Sequence, residues 1–208
     1  MKLLNAGEVF ATNTELGLQV DLQGWNSAHP LFAQLVEQVK PQTIIEVGSW
    51  KGASALHMAE LTKDLGTKIY CCDTWLGEVS TNAAYNEQAE DAPIQYDVGK
   101  VYRQFLHNVV QSGHAERIFP IPHTSIAAAR LLAKAGIQGD LVYIDADHGY
   151  EPAFLDLNFY AGLVAPGGIL FGDDWNDFPG VRMAVSRFAY ENSLKISVNG
   201  PAWVLQPS

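Results

Sequence analysis

Two short apolar runs that each end in acidic residues restrict the fold of this chain more than any other feature. Leu141–Ile144 is followed directly by Asp145. Ile169–Phe171 is followed, one residue later, by Asp173 and Asp174. The segment between the two runs has helical length and ends in Pro-Gly-Gly, which predicts strand, helix and strand. Because the strands of such a unit are parallel, we expect all three carboxylates at one edge of a sheet.

Carboxylates packed this closely repel one another, and a cation among them keeps them ionised. Oxygen ligands of this kind suit Mg²⁺, Mn²⁺ or Ca²⁺, between which a list of residues does not discriminate. The pattern therefore predicts a divalent-metal site formed by Asp145, Asp173 and Asp174. A helix-capping turn or a solvated loop is the alternative interpretation of the Asp173–Asp174 pair.

The length and charge of the chain favour one globular domain, residues 1–208, without nucleic-acid or membrane partners. A chain of 208 residues is long enough for a full core. No apolar run has membrane-spanning length, and the first residues do not read as a secretory signal, so we expect a cytoplasmic protein. The net charge of −10 disfavours anionic partners. Cys71 and Cys72 match neither a zinc nor a redox spacing and are expected to be buried in a strand.

The remaining patterns predict an α/β fold that ends in an antiparallel hairpin. Asn199–Gly200 between Lys195–Val198 and Ala202–Leu205 is a strong hairpin signal. Two weakly patterned stretches are expected to be an N-terminal cover segment, residues 1–27, and a substrate lid, residues 76–97, for which a disordered insertion is the alternative. The other predicted strands are Thr43–Val47, Lys68–Cys72 and Arg117–Ile121, and the other predicted helices are Ser27–Val39, Val101–Val110, Ile126–Ala135 and Val181–Tyr190.

A turn with two glycines, Gly48 and Gly52, joins the first predicted strand to a helical pattern that continues to Leu61. Proteins that bind nucleotide cofactors use this arrangement, because the N-terminus of the helix presents free N–H groups to an anion. The glycine spacing matches neither a dinucleotide fingerprint nor a P-loop. Taken alone, the turn is equally compatible with a purely structural role.

Asp73 ends the second predicted strand, close to the ~20-residue spacing at which an acid binds the ribose of a nucleotide. The alternative is a solvated aspartate at a strand end. Thr74 and Trp75 follow directly and are candidates for lining an adenine pocket. Ser125, which precedes the third of these helices, is a candidate contact to the cofactor base, or a helix cap alone.

These motifs resemble those of a known family. The E-V-G-x-x-x-G motif, the acidic end of the second strand and the terminal hairpin are similar to class I S-adenosylmethionine-dependent methyltransferases. The motifs I-D-A-D-H-x-Y-E, P-G-G-x-L-x-x-D-D and P-G-V-x-x-A-V resemble the metal-dependent O-methyltransferase branch, which includes catechol, caffeoyl-coenzyme A and macrolide-sugar enzymes. The resemblance covers Ala28–Leu205. It implies a Rossmann-like fold, a seven-stranded, mostly parallel sheet with a C-terminal antiparallel hairpin and helices on both faces.

The resemblance also implies roles for individual residues. His148 matches a proposed general base, and Asp145 belongs to the same catalytic centre as a ligand of the metal, with Mg²⁺ the first choice. Asp174 stands where the catechol enzymes have Asn, and their Lys near His148 is absent here, which favours a sugar or another diol as the acceptor. The residues that match the loop around the methionine part of S-adenosylmethionine are Glu46, Gly48, Ser49, Gly52 and Ser54, with Asp73 at the ribose.

The expected activity is transfer of a methyl group to a small hydroxylated acceptor. Two other hypotheses stay open at this point. One is a metal-independent methyltransferase acting on oxygen or nitrogen, and the other is a cofactor-binding protein without catalysis. Association with a second copy of the chain through the N-terminal segment is a further possibility.

Overall fold

The computed structural model describes Phe10, residues 17–76 and residues 99–207. Most of the predicted lid therefore lies outside the described residues. In chain order the elements are α1 (Pro30–Val39), β1 (Thr43–Val47), α2 (Ala53–Leu61), β2 (Lys68–Asp73), α3 (Lys100–Ser112), β3 (Ile118–Pro122), α4 (Ser125–Ala135), β4 (Gly139–Ile144), α5 (Tyr150–Ala161), β5 (Val164–Gly172), α6 (Pro179–Glu191), β6 (Leu194–Asn199) and β7 (Ala202–Pro207).

The strands form one seven-stranded sheet in the order β3-β2-β1-β4-β5-β7-β6. The first five strands in this order are parallel, and β7 pairs antiparallel with both β5 and β6. The predicted fold, including the terminal hairpin, is therefore confirmed. The apolar runs of the parallel strands are buried on both faces, as such a sheet requires.

Two apolar clusters cover the two faces of the sheet. Helices α1, α2 and α3 pack on one face with Ile44 and Cys71, and α4, α5 and α6 pack on the other with Ile45 and Cys72. Neighbouring residues fall into different clusters because successive side chains of a strand point to opposite faces. Both cysteines are buried thiols, as expected.

No helix within the described residues is both long and apolar enough to cross a lipid bilayer. The longest of them, α3 and α6, have 13 residues each. A membrane-spanning helix needs about 20 apolar residues. The cytoplasmic location expected from the sequence stays a prediction.

The start of α1 differs from the prediction. The helix begins at Pro30, and His29 is its N-terminal cap, with Nδ1 accepting a hydrogen bond from the Leu31 N–H at 3.2 Å. Ser27, where the predicted helix started, lies outside α1, and its hydroxyl donates to the carbonyl oxygen of Trp25. Pro30 at the first helical position accounts for the boundary, since its ring preorganises the backbone and the missing N–H is not needed there.

The sequence pattern predicted that the Pro-Gly-Gly sequence would end a helix. The structure places it in a strand instead. Helix α5 ends at Ala161, and residues 166–168 lie inside β5. Here the pairing between β4 and β5 shifts register, from Gly139 opposite Val164 to Leu141 opposite Ile169. A β-bulge of this kind favours glycine. Gly167 has φ +82°, and a Cβ on Gly168 would lie 2.9 Å from the carbonyl oxygen of Asp140.

Gly172 ends β5 where the indole of Trp203 crosses the strand, and we expect Gly172→Ala to destabilise the protein by about 2 kcal/mol or more. An added Cβ would lie 2.3 Å from Trp203 Cζ2 and 2.4 Å from the carbonyl oxygen of Ile144. Urea unfolding measures the loss. Gly162→Ala is the matched control. A Cβ on Gly162 would lie 3.8 Å from the carbonyl oxygen of Phe159, an ordinary van der Waals distance. Equal stability of the two variants would contradict this account of the packing.

Candidate active site

The carboxyl ends of three adjacent strands form the rim of the candidate site. The N–H of Asp145 donates to the carbonyl oxygen of Val47 at 2.9 Å, and the N–H of Asp173 donates to that of Ile144 at 3.2 Å. These bonds continue the pairing of β1 with β4 and of β4 with β5 by one residue. The acidic residues that follow the strands are therefore held side by side by backbone contacts.

Asp145, His148 and Asp174 converge at this rim. Each of the three offers one ligand atom, and these atoms all lie within 4.8 Å of one another. His148 Nε2 is 3.1 Å from Asp174 Oδ2. The imidazole stacks on the ring of Phe178 with their centroids 3.7 Å apart. The plane of the histidine is thus set by the residue that precedes α6.

Asp173 does not belong to this group of three. Its side chain is 5% exposed, and its Oδ1 has no hydrogen-bond partner in the described part of the chain. Burial and the neighbouring charge of Asp174 raise its pKa, whereas a hydrogen bond from the Asn26 side chain lowers it. The role of Asp173 as a metal ligand stays a prediction. Its orphaned oxygen is the kind of buried acceptor that a cation satisfies.

Burial and neighbouring charges act together on Asp145. Burial, followed by the charges of Asp174 and Asp173, raises the pKa of Asp145 well above its ordinary value. One donor opposes this effect: the hydroxyl of Tyr143 donates to Asp145 Oδ2 at 2.9 Å. Tyr143 lies two residues before Asp145, so a period of two along β4 is the sequence signal that points to it.

Asp147 has a local role. Its Oδ1 accepts a hydrogen bond from the Gly149 N–H at 2.7 Å, which forms an Asx-turn leading into α5. The same turn places His148 between the acidic rim and Phe178. Asp147 thus supports the site by shaping the chain between Asp145 and the helix.

Glu46 is the most deeply buried acid beside the rim. It lies on β1, is fully buried, and accepts hydrogen bonds from the hydroxyls of Ser49 and Ser54 through its two carboxylate oxygens. Burial raises the pKa of Glu46 to about 7, although both serine donors lower it. Glu46, Ser49 and Ser54, which are among the residues predicted to contact the cofactor, therefore form one hydrogen-bonded unit within the glycine turn.

The two glycines of the turn are required by contacts within the protein. Gly48 has φ +84°, and a Cβ on it would lie 1.8 Å from the carbonyl oxygen of Asp145. Gly52 has φ +92°, and a Cβ there would lie 3.1 Å from the ring of Phe105. Both positions also need the left-handed conformation that glycine adopts readily. Close approach of the backbone to a ligand at these glycines stays a prediction.

Asp73 organises the same turn. Its Oδ2 accepts the N–H groups of Ser49 at 2.9 Å and Trp50 at 2.8 Å, and its Oδ1 accepts the N–H of Trp75 at 2.6 Å. Burial raises the pKa of Asp73, and these N–H groups lower it. A fourth backbone N–H, that of Thr74, also lowers this pKa, so donors from the protein itself match the roughly four lone-pair positions of the carboxylate. The predicted ribose contact stays a prediction.

Trp75 and Thr74, which follow Asp73, differ in burial. Trp75 is 1% exposed and packs on Tyr102 and Phe105, with its indole N–H donating to the Trp50 carbonyl oxygen at 2.7 Å. Its side chain therefore belongs to the core. Thr74 is half-buried, and its hydroxyl oxygen accepts the N–H of Leu76 at 3.2 Å. An adenine contact by either residue stays a prediction.

Ser125 is held by helix α5. It is the first residue of α4, and its carbonyl oxygen accepts the hydroxyl of Tyr160 at 2.8 Å. Its side chain forms a hydrogen bond with the buried Asp156. Burial raises the pKa of Asp156 to about 6, although the bond with Ser125 lowers it. The sequence analysis missed Asp156 and Tyr160, because nothing in the local pattern of α5 relates them to a residue more than 30 positions earlier. The contact of Ser125 to a cofactor base stays a prediction.

Trp50 is a further residue that was not predicted from the sequence. It lies in the cofactor turn with φ +45°, and its indole Nε1 is buried without a hydrogen-bond partner among the described residues. A buried donor of this kind costs stability unless a ligand or water accepts from it. Its position between Gly48 and Gly52 is the signal that points to it.

Comparison with known proteins identifies the class. A model of the methyltransferase-domain family matches residues 45–175. An uncharacterised protein of Acanthamoeba polyphaga mimivirus is 26% identical over 151 residues, which cover 70% of this chain and 58% of that relative. The chain thus spans less than two thirds of the length of this relative.

Solved structures share the fold at low sequence identity. An O-methyltransferase from Bacillus cereus, in complex with S-adenosylhomocysteine, has a TM-score of 0.59 and 12% identity over 97% of this chain and 90% of its own. The calicheamicin methyltransferase CalS11 has a TM-score of 0.61 and 18% identity over 85% and 76%. The Streptomyces achromogenes O-methyltransferase TomG has a TM-score of 0.62 and 15% identity over 100% and 92%.

Fold, rim and family match lead to one identification. The sheet order, with a glycine turn beside an acidic rim, defines an α/β protein of the kind in which ligands bind beyond the carboxyl ends of the strands. The chain belongs to the methyltransferase-domain family.

The buried Glu46 makes stability depend on pH. Its folded pKa of about 7 exceeds its ordinary value of 4.5. Between these values the folded state binds more protons than the unfolded state, so the free energy of unfolding falls as pH rises from about 4.5 to about 7. We expect Glu46→Gln to remove part of this fall, on the order of 2–3 kcal/mol.

Urea unfolding at pH 5 and pH 8 measures this contribution of Glu46. Glu37→Gln is the control, because Glu37 is exposed on α1. The same loss of stability between the two pH values in the wild-type protein and in Glu46→Gln would show that Glu46 is not its source.

Proposed function

We propose that this protein is an S-adenosylmethionine-dependent O-methyltransferase that uses a divalent metal and acts on a small hydroxylated acceptor. The convergence of Asp145, His148 and Asp174 within 4.8 Å carries the proposal. This group lies directly beside a glycine turn that ends at the N-terminus of α2. A cofactor bound at the turn and an acceptor bound at the rim would be neighbours.

The chemistry of the rim fits a hard divalent cation. The donors that we assign to the metal are carboxylate oxygens, which suit Mg²⁺ or Mn²⁺, and the imidazole of His148 beside them is left for proton transfer. Besides burial, the charge of Asp174 raises the pKa of both Asp145 and Asp173, and a nearby cation opposes that effect. The orphaned Oδ1 of Asp173 offers a further ligand from the same rim. Asp145, Asp174 and Asp173 are therefore the residues that would hold the metal.

The glycine turn fits a cofactor with both cationic and hydroxyl groups. Glu46 lies under the turn, and Asp73 at the end of β2 is the acid that we expect to meet a ribose hydroxyl. The buried indole N–H of Trp50 is a donor that has no acceptor among the described residues. Support also comes from the bound cofactor or product in the B. cereus and TomG structures, which contain S-adenosylhomocysteine and S-adenosylmethionine respectively.

When bound, the cofactor supplies the methyl group, and the metal lowers the pKa of the acceptor's hydroxyl. His148 then takes the hydroxyl proton on its imidazole, since this side chain exchanges protons near neutral pH. Asp174, 3.1 Å from His148 Nε2, orients the ring, and the stacking on Phe178 keeps it in plane. Tyr143 donates to Asp145 and holds that carboxylate in position.

A vicinal diol, such as that of a sugar, is the acceptor we favour. Two neighbouring oxygens can share one metal and present one hydroxyl to the cofactor. Asp174 and His148 distinguish this chain from the catechol-type pattern of Asn and Lys. CalS11, which shares the fold, is described as a TDP-rhamnose 3′-O-methyltransferase.

We expect Asp174→Gly to abolish the heat of Mg²⁺ binding in calorimetry while S-adenosylhomocysteine binds as in the wild type. Glycine removes the carboxylate and tolerates the φ of +71° at this position. Asp177→Ala removes an exposed carboxylate three residues away and is the matched control. Unchanged Mg²⁺ binding by Asp174→Gly would exclude this metal site, and full activity of the wild type in excess chelator would favour a metal-independent enzyme.

We expect His148→Ala to lower turnover by about 100-fold or more, because general-base catalysis contributes 10²–10⁴-fold. The dissociation constant of S-adenosylhomocysteine should change by no more than about twofold, since the imidazole acts on the acceptor. Methyl transfer from labelled S-adenosylmethionine to a panel of sugar nucleotides and catechols measures turnover. His114→Ala, in the segment before β3 at the opposite edge of the sheet, is the control. An unaltered rate would remove His148 as the base.

A further inference from the structure

The N-terminal residues Gly17–Gly24, here called the strap, lie against the loop Gly48–Gly52, here called the cofactor loop. Gln104 on α3 donates from its Nε2 to the carbonyl oxygen of Gln19 at 2.9 Å. Lys51 in the cofactor loop forms an ion pair with Asp21 at 2.6 Å. The strap is therefore attached both to α3 and to the cofactor loop.

Asn108 on α3 is the centre of these attachments. Its side chain is 1% exposed. Its Oδ1 accepts the N–H of Asp21 at 3.3 Å and the Nε2 of Gln104 at 2.9 Å. Its Nδ2 donates to the carbonyl oxygens of Asp21 and Lys51, each at 2.8 Å. All four hydrogen-bonding positions of the amide are thus used, and one buried side chain bridges the strap and the cofactor loop.

The cofactor loop depends on such outside support. Trp50 has φ +45°, a conformation that is strained for a residue with a large side chain. Asp73 accepts the N–H of Trp50, and Trp75 donates to the carbonyl oxygen of Trp50. Asn108 then holds the next carbonyl, that of Lys51. Consecutive peptides of the loop are thus oriented by side chains from elsewhere in the fold, and of these three supports Asn108 is the one that also binds the strap.

The far end of the strap is in close contact with the helix that follows the loop. A Cβ on Gly24 would lie 2.4 Å from Cβ of Ala53, the first residue of α2. It would also lie 2.3 Å from the hydroxyl oxygen of Ser27, which is able to rotate away. The strap therefore packs against the first turn of α2, beside the cofactor loop.

We propose that Asn108 is a positioning residue that couples docking of the strap to the shape of the cofactor loop, so that cofactor binding and strap docking strengthen each other. This inference rests on the proposed function, because it takes the loop to bind S-adenosylmethionine. Linkage requires the coupling to be reciprocal: a docked strap tightens cofactor binding, and a bound cofactor protects the strap from opening.

Asn108→Asp tests the proposal with little change in volume. The substitution replaces the NH₂ donor by an oxygen that faces the carbonyl oxygens of Asp21 and Lys51, so it repels both partners at once. We expect the dissociation constant of S-adenosylhomocysteine to rise about tenfold, because the lost bonds are buried and directed. Hydrogen exchange of the strap should become about tenfold faster, and saturating S-adenosylhomocysteine should no longer slow it.

Asn158→Asp is the matched control. Asn158 is an exposed helical asparagine whose Nδ2 bonds only to the carbonyl oxygen of Phe154, four residues earlier. We expect it to behave as the wild type in both measurements. A merely structural role for Asn108 would lower the stability towards urea but leave the affinity and the ligand-dependent protection of the strap unchanged.

Gly24→Ala provides the answer if Asn108→Asp does not fold. It displaces the strap from Ala53 without touching the amide, and the same two changes are expected in weaker form. Wild-type affinity and wild-type strap protection in the folded variant would overturn the coupling alone. Failure of the wild-type protein to bind S-adenosylhomocysteine would overturn the proposed function as well, so the two failures are distinguishable.

Discussion

The contact between the turns that follow β1 and β4 is the constraint on which the site depends. The Asp145 carbonyl occupies the space that a side chain on Gly48 would fill, and its N–H bonds to Val47. Two parallel strands in register bring these turns together, and glycine allows them to touch. As a result the loop expected to hold a cofactor and the acidic group expected to hold a metal form one continuous rim.

Burial raises the pKa of several acids around this rim. These acids differ in the hydrogen-bond donors that surround them. Glu46 and Asp73 are surrounded by hydroxyl and N–H donors that belong to the protein itself. Asp145 has Tyr143 as a donor, and Asp173 retains an oxygen without a partner in the described residues. The first pair therefore stabilises the glycine turn, whereas the second pair consists of acids that we propose as metal ligands.

Much of the fold was predictable because its signals are local. Apolar runs rich in β-branched residues marked the strands, and Asn199–Gly200 marked the hairpin. One wrong prediction concerns a segment whose structure depends on long-range contacts. Pro166–Gly168 was read as a helix stop, but the register between β4 and β5 places it in a bulged strand. Pro120 lies in β3 without disturbing the sheet, because that strand is at the edge.

The sequence by itself determined which strands run parallel and which acidic groups stand at their carboxyl ends, since periodicity and chain direction are properties of neighbouring residues. Only the tertiary structure decided which partner each group meets. It turned Asp174 towards His148, and it joined Asn108 to both Asp21 and Lys51 across separations of 87 and 57 residues. Such pairings depend on how helices and turns pack over the sheet, and no local pattern encodes the distances that result.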